Sequence, residues 1–316
     1  MSNLTNTQSN NTQVPAQTII SMEAKMLLIF TPVMISFVCF LYIIVVMLNV
    51  YFTSPHIREN ARYMLFAHML INDTMYLTIA VSLYLFSLFQ VSFPVLVCYF
   101  ILIMSSSAFK VTPYNLAAMS LERYIAICFP LRHAEFCTRQ RTGNVIALIW
   151  TIGLTPHVVD LIILASSVKT SFFSQHVSCS RVSFLNTEIQ SILRSFMHAF
   201  SFSLVGLVII FTYVKIMLVA KNIGSRKDSA SKASRTVMLH AFQLLLCLTA
   251  FTYPITETYL KGYIIMLPVL NFCLFMCLPR FLSPLIYGIR DDTFRVCLRR
   301  YVFCRSVKIH VVKFTY

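Results

Sequence analysis

Met119 to His133 read "MSLERYIAICFPLRH". An acid, a base and an aromatic ring, Glu122, Arg123 and Tyr124, stand together where a strongly apolar run ends. Such a triplet marks the place where a helix leaves hydrocarbon for water, because a charge is costly at the bilayer centre and tolerable at its edge. A spanning helix needs about 20 mostly apolar residues, and seven such windows occur, at 27–52, 63–89, 96–121, 144–165, 195–219, 237–259 and 264–288. The 316 residues are 58% hydrophobic and only 12% charged, outside the range of water-soluble domains. The fold class these features predict is an all-α membrane protein. A seven-helix transmembrane bundle at 27–290 lies between a polar tail, 1–26, and a short terminal segment, 291–316.

The formal charge of +15 invites a nucleic-acid reading, and its distribution removes it. With the N-terminus outside, nineteen of the 26 Lys and Arg fall in inner loops, tail or, for Lys215, the inner edge of a span, five outside and two deep within spans. That is the positive-inside asymmetry of a multi-pass plasma-membrane protein with a cytoplasmic C-terminus. Residues 1–26 show no short apolar core with a small-residue cleavage site, so we expect no removable signal peptide and a first span acting as signal-anchor. Two sequons make Asn3 and Asn10 glycosylation candidates, whereas Asn72-Asp73-Thr74 lies inside a span and reads as coincidence. Of ten cysteines only Cys98 and Cys179 fall at outer positions, and a bridge between them is the expected pairing in an oxidising compartment.

After Gly288, the residues Phe294, Cys297, Leu298, Tyr301 and Val302 recur at helical spacing. They predict an amphipathic helix on the inner membrane surface, with Asp291 and Asp292 at its start and Arg295, Arg299 and Arg300 toward anionic lipid. Cys297 and Cys304 are acylation candidates there.

Several motifs in order then carry a resemblance. Glu122-Arg123-Tyr124 continues as "IAICFPLRH", Cys98 lies 25 residues before Arg123, and Trp150, the single tryptophan, stands in the fourth span. "HMLINDTMYL" contains Asp73, "KASRTVMLH" at 232–240 opens the sixth span, and "LSPLIYGIRD" closes the seventh. The chain resembles class A, rhodopsin-like G-protein-coupled receptors, and within them the odorant receptors of teleosts. It departs from their pattern at Ser283, where Asn is usual before Pro284, at Glu122 in place of Asp, and in a sixth span without Trp. The resemblance implies that Arg123 is held by Glu122 at rest and freed to meet a heterotrimeric G protein of the stimulatory, olfactory type. Tyr213, His240, Pro284 and Tyr287 belong to the same switch by resemblance. It also implies a small-molecule odorant in the outer half of the bundle, lined by Ser105, Ser106, Phe109, Lys110, His157, His198, Phe202 and Tyr253.

Four charges lie deep in the spans: Asp73, Lys110, Asp160 and Arg280. At 1.5 Å per residue, Asp73 and Arg280 sit at similar depths, roughly 15 and 12 Å above the inner edge. We expect them to pair, with Arg280 in place of the sodium ion that many class A receptors hold at the second-span acid; separate solvation by internal waters is the other reading. Lys110, near the midplane, either meets an anionic or carbonyl-bearing ligand or is satisfied by backbone carbonyls and hydroxyls. Cys277 stands where opsins keep the retinal lysine and Ser105 where amine receptors keep an aspartate, so neither ligand class is implied.

Other classes find less support. No His-Glu-x-x-His, Gly-x-Ser-x-Gly or paired intramembrane carboxylates suggest an enzyme, and no metal-ligand spacing joins His157 or His198 to a partner. Neither cofactor nor metal is expected. A transporter would show repeated halves or broken helices, and a receptor for a non-olfactory small ligand is the nearer alternative. Membrane lipid is an expected partner and nucleic acid is not.

Overall fold

Helix boundaries in the computed structural model follow local chemistry. It describes residues 16–179 and 188–222, with 235, 237–239, 241, 242, 245, 274, 277–282 and 284. The first helix, α1, spans Ala16–Thr53, and a single turn, α2, spans Pro55–Arg58. Asn60 caps the next helix, α3 (Ala61–Leu88), its side chain accepting from the Arg62 amide. At the far end of α3, Val91 N–H donates to the Phe86 carbonyl and Gln90 N–H to Ser87. This is the paired closure of a Schellman turn, and it puts Gln90 at φ 52°, the left-handed position that usually takes glycine.

Strand β1 (Ser92–Pro94) leads into α4 (Val95–Cys128), which ends before Pro130 opens the short helix α5 (Pro130–Phe136). Thr138 caps α6 (Arg139–Ser167) by accepting from the Arg141 amide. A 3₁₀ turn at Thr170–Ser174 and strand β2 (His176–Ser178) follow, and α7 spans Glu188–Asn222. Strands β1 and β2 pair antiparallel, Phe93 opposite Val177.

Five helices among the described residues are long and apolar enough to cross a membrane: Thr31–Thr53, Ala61–Ser87, Val95–Cys128, Arg139–Ser167 and Ser195–Val219. They coincide with the first five windows read from the sequence; most of the sixth and seventh windows, and the segment 291–316, lie outside the described residues. Helix α1 starts at Ala16, inside the stretch read as a polar tail, because a helix can run on beyond the hydrocarbon its apolar part occupies. Helix α4 likewise carries Glu122-Arg123-Tyr124 inside its last turns rather than at its end.

Helix α4 is the central element, packed against α3, α6 and α7. Of its span 56% is buried, against 17% for α6. Apolar side chains such as Val38, Val45, Leu148, Ile162, Leu207 and Ile210 point outward, the lipid-facing surface a membrane bundle requires. Close approach of α4 and α6 depends on Gly153, where a Cβ would lie 3.2 Å from Val111 Cγ2 and 3.5 Å from the Ser107 carbonyl.

Candidate functional site

Cys98 is bonded to Cys179, their Cα atoms 5.4 Å apart. The bridge is reinforced by the β1–β2 pair, by Val95 N–H donating to the Gln175 carbonyl at 3.1 Å, and by a small apolar cluster in which Val95, Tyr99 and Leu164 pack with Phe93, Phe172 and Val177. The loop after α6 is thereby stitched to the first turn of α4.

At the opposite end of α4, Glu122 is buried and meets a basic side chain at each oxygen. His133 Nε2 lies 3.2 Å from one and Arg123 Nε 3.8 Å from the other. His133 is on α5, so the contact ties the loop helix to the foot of α4. Its hydrogen bond to Glu122 raises the His133 pKa against the opposing effect of burial. Nearby, the Cys137 thiol is pushed up to about 11, by burial first and then by Glu122, and stays protonated. Tyr124 stacks edge-on against Phe129 and against Phe211 of α7, and Tyr213 is partly buried against the main core. Pro284 is buried, whereas His240 and Tyr287 lie outside the described residues.

Between the two ends, Asp73 and Arg280 are both fully buried, with Arg280 Nε 3.4 Å from Asp73 Oδ1. The same oxygen accepts the Thr112 hydroxyl at 2.9 Å, and Asn72 donates to Thr112 Oγ1 and to the Ala108 carbonyl, each at 3.0 Å. Those contacts leave Asn72 no room for a glycan. The Arg280 guanidinium carbon also lies 4.8 Å from the Tyr76 ring centre and 5.5 Å from that of Phe109. A buried guanidinium is stabilised by ring faces as well as by a carboxylate.

Of the residues assigned to a ligand site, Ser105, Phe109 and Lys110 are buried on α4 and Ser106 is half-buried beside them. His157 is on α6, where its carbonyl accepts the Tyr99 hydroxyl at 3.4 Å; His198 and Phe202 are on α7. Phe109 and Phe202 come together with ring centres 6.3 Å apart. Tyr253 lies outside the described residues, as do Asn3, Asn10, Cys297 and Cys304. Asp160 and Cys277 are buried, and the described residues hold no cluster of three or more metal-ligating side chains.

Three residues the sequence reading did not single out carry much of this geometry: Tyr76, His133 and His68. Trp150 Nε1 donates to His68 Nε2 at 2.9 Å, so His68 Nδ1 donates to Asn115 Oδ1 at 3.3 Å, and Asn115 Nδ2 donates to the Leu65 carbonyl at 3.0 Å. This chain pins α3, α4 and α6 together. Its only signal in the sequence is the presence of polar residues inside apolar spans, each of which needs a partner.

The family described as 7 transmembrane receptor (rhodopsin family) matches residues 42–287. The chain belongs to this family. Odorant receptor 131-2 of Danio rerio is 30% identical over 258 residues, covering 80% of this receptor and 79% of the relative. Olfactory receptor 52A1 of Homo sapiens is 27% identical over 213 residues, 63% of this receptor and 62% of the relative. Olfactory receptor 4M1 of Mus musculus is 22% identical over 207 residues, 61% of this receptor and 64% of the relative. The match thus spans less than two thirds of these mammalian relatives. The receptor is a multi-pass plasma-membrane protein of the G-protein-coupled class, a family of receptors rather than enzymes.

Proposed function

We propose that the receptor is an odorant receptor: a small molecule binds in the outer half of a seven-helix bundle and shifts its helices so that Arg123 is exposed to a G protein of the stimulatory, olfactory type. The N-terminal tail is extracellular and glycosylated at Asn3 and Asn10, and residues 291–316 form an amphipathic cytoplasmic helix and tail, with Cys297 and Cys304 open to acylation. The observation that carries this reading is the Glu122–Arg123 contact at the foot of the most buried of the described spans, in a chain whose relatives are named odorant and olfactory receptors. A contact present in one state and absent in another is what a ligand with unequal affinity for the two states can bias. His240 and Tyr287 join Arg123, Tyr213 and Pro284 in that rearrangement.

The ligand site is formed by Ser105, Ser106, Phe109, Lys110, His157, His198, Phe202 and Tyr253, apolar walls with a few polar groups as small ligands require. Asp73 and Arg280 form the internal ion pair that takes the place of a sodium ion, so changing sodium leaves ligand potency unchanged. The test is ligand-evoked cAMP in transfected cells challenged with an odorant panel. Arg123→Ala, confirmed at the surface, abolishes the response; ion flux that persists without G protein would overturn the receptor mechanism in favour of transport.

A further inference from the structure

Helices α3 and α4 run antiparallel, and each presents two residues three apart, hence on one face, to Arg280. From α3 come Asp73 and Tyr76; from α4 come Thr112 and Phe109. The polar member of each pair lies toward the Arg123 end of its helix and the ring toward the disulfide end, so the guanidinium sits between a polar tier and an aromatic tier. The two rings lie 5.8 Å apart at an interplanar angle of 42°, both over the guanidinium. Phe109 also meets Phe202 of α7, ring centres 6.3 Å apart. Pro113, one turn from Phe109, brings no N–H to the α4 ladder and softens the helix there.

We propose that Tyr76 and Phe109 form an aromatic clamp on Arg280, and that Phe109 is the positioning residue through which occupancy of the ligand site reaches the buried Asp73–Arg280 pair. This rests on the ligand-site reading above. A ligand that moves the Phe109 ring exchanges ring cover for carboxylate contact at Arg280, and so changes how the seventh span is held against α3. Both rings are largely hydrophobic; their contribution here is electrostatic, through the negative ring face, which counts for most where water is absent.

The test uses the full-length receptor in cells, with surface receptor quantified, basal cAMP read without ligand, and an odorant panel as probe. Phe109→Leu keeps the bulk and removes the ring, and it raises basal cAMP signalling about tenfold, the shift that losing one desolvated cation–π contact allows. Phe109→Tyr, which keeps a ring, gives a smaller shift, and Tyr76→Leu parallels Phe109→Leu. In an Arg280→Met background Phe109→Leu adds nothing to basal signalling. Should Arg280→Met fail to reach the surface, Asp73→Asn with Arg280→Met serves as background, since it strands no buried charge. An equal effect of Phe109→Leu with and without Arg280, or no basal effect at all, overturns the clamp. An unchanged odorant spectrum in all Phe109 variants, with the Arg280 dependence intact, instead overturns the ligand-site reading alone.

Discussion

Glu122 lies between Arg123 and His133, which in the proposed orientation makes the foot of α4 responsive to pH on the cytoplasmic side. His133 has its pKa raised by the Glu122 hydrogen bond. For a base with a raised pKa, the contact is fully stabilising below the ordinary histidine value and is lost as pH climbs through the raised one. The arrangement it stabilises is the one in which Arg123 also faces Glu122. Basal nucleotide exchange on the G protein, measured in membranes with the inner face accessible, therefore rises as pH climbs from the ordinary histidine value through the raised one, and His133→Gln flattens that profile. A wild-type profile as flat as the variant's would refute the coupling. The ion pair at Asp73 is decided by the same kind of accounting. Removing one partner of a buried pair strands the other at a cost of about 3–5 kcal/mol, whereas neutral replacement of both is tolerated. Asp73→Asn or Arg280→Met alone lowers the amount of receptor at the surface, and the double variant recovers it; a double variant no better than the worse single one means the two charges are not coupled.

Packing of α4 against α6 rests on Gly153 much as the switch rests on Glu122. Any larger side chain there meets Val111 and the Ser107 backbone, so Gly153→Leu overpacks the interface by about 1–3 kcal/mol. Gly143 is a fair control, since a Cβ there meets only the Met64 Cε at an ordinary 3.7 Å. Flow cytometry of tagged receptor should show Gly153→Leu depleted at the surface and Gly143→Ala close to wild type; equal levels would mean the two helices can separate without penalty. This contact was not legible in the sequence, because a glycine inside an apolar run carries no sign of what approaches it. Strands β1 and β2 escaped for a related reason: three residues each are too few for a period, and their register depends on partners more than 80 residues apart, brought together by Cys98 and Cys179. What the sequence did show was every feature with a strong local signature, namely the five described spans, the cysteine pair, and the charged foot of α4. Tyr76 and His68 were missed because an aromatic ring or a histidine in a span looks like filler until its neighbour from another helix is known.

Across the whole molecule, the distribution of Lys and Arg is the feature on which the proposed orientation of the bundle rests. Apolar spans are satisfied in either orientation, but nineteen basic residues on one side against five on the other bias insertion strongly. In the proposed orientation the disulfide falls on the side where thiols are oxidised, and the Glu122–Arg123–His133 cluster on the side where a G protein would meet it. Both consequences follow from one choice, so one measurement checks them together. An epitope at the N-terminus should stain intact cells, while one at the C-terminus should stain only permeabilised cells. Mutating Asn3 and Asn10 together to Gln should remove the glycosidase-sensitive mobility shift without changing that staining pattern. The reverse pattern would place Cys98 and Cys179 in the reducing cytoplasm and Arg123 outside the cell, and the proposed signalling mechanism could not survive it.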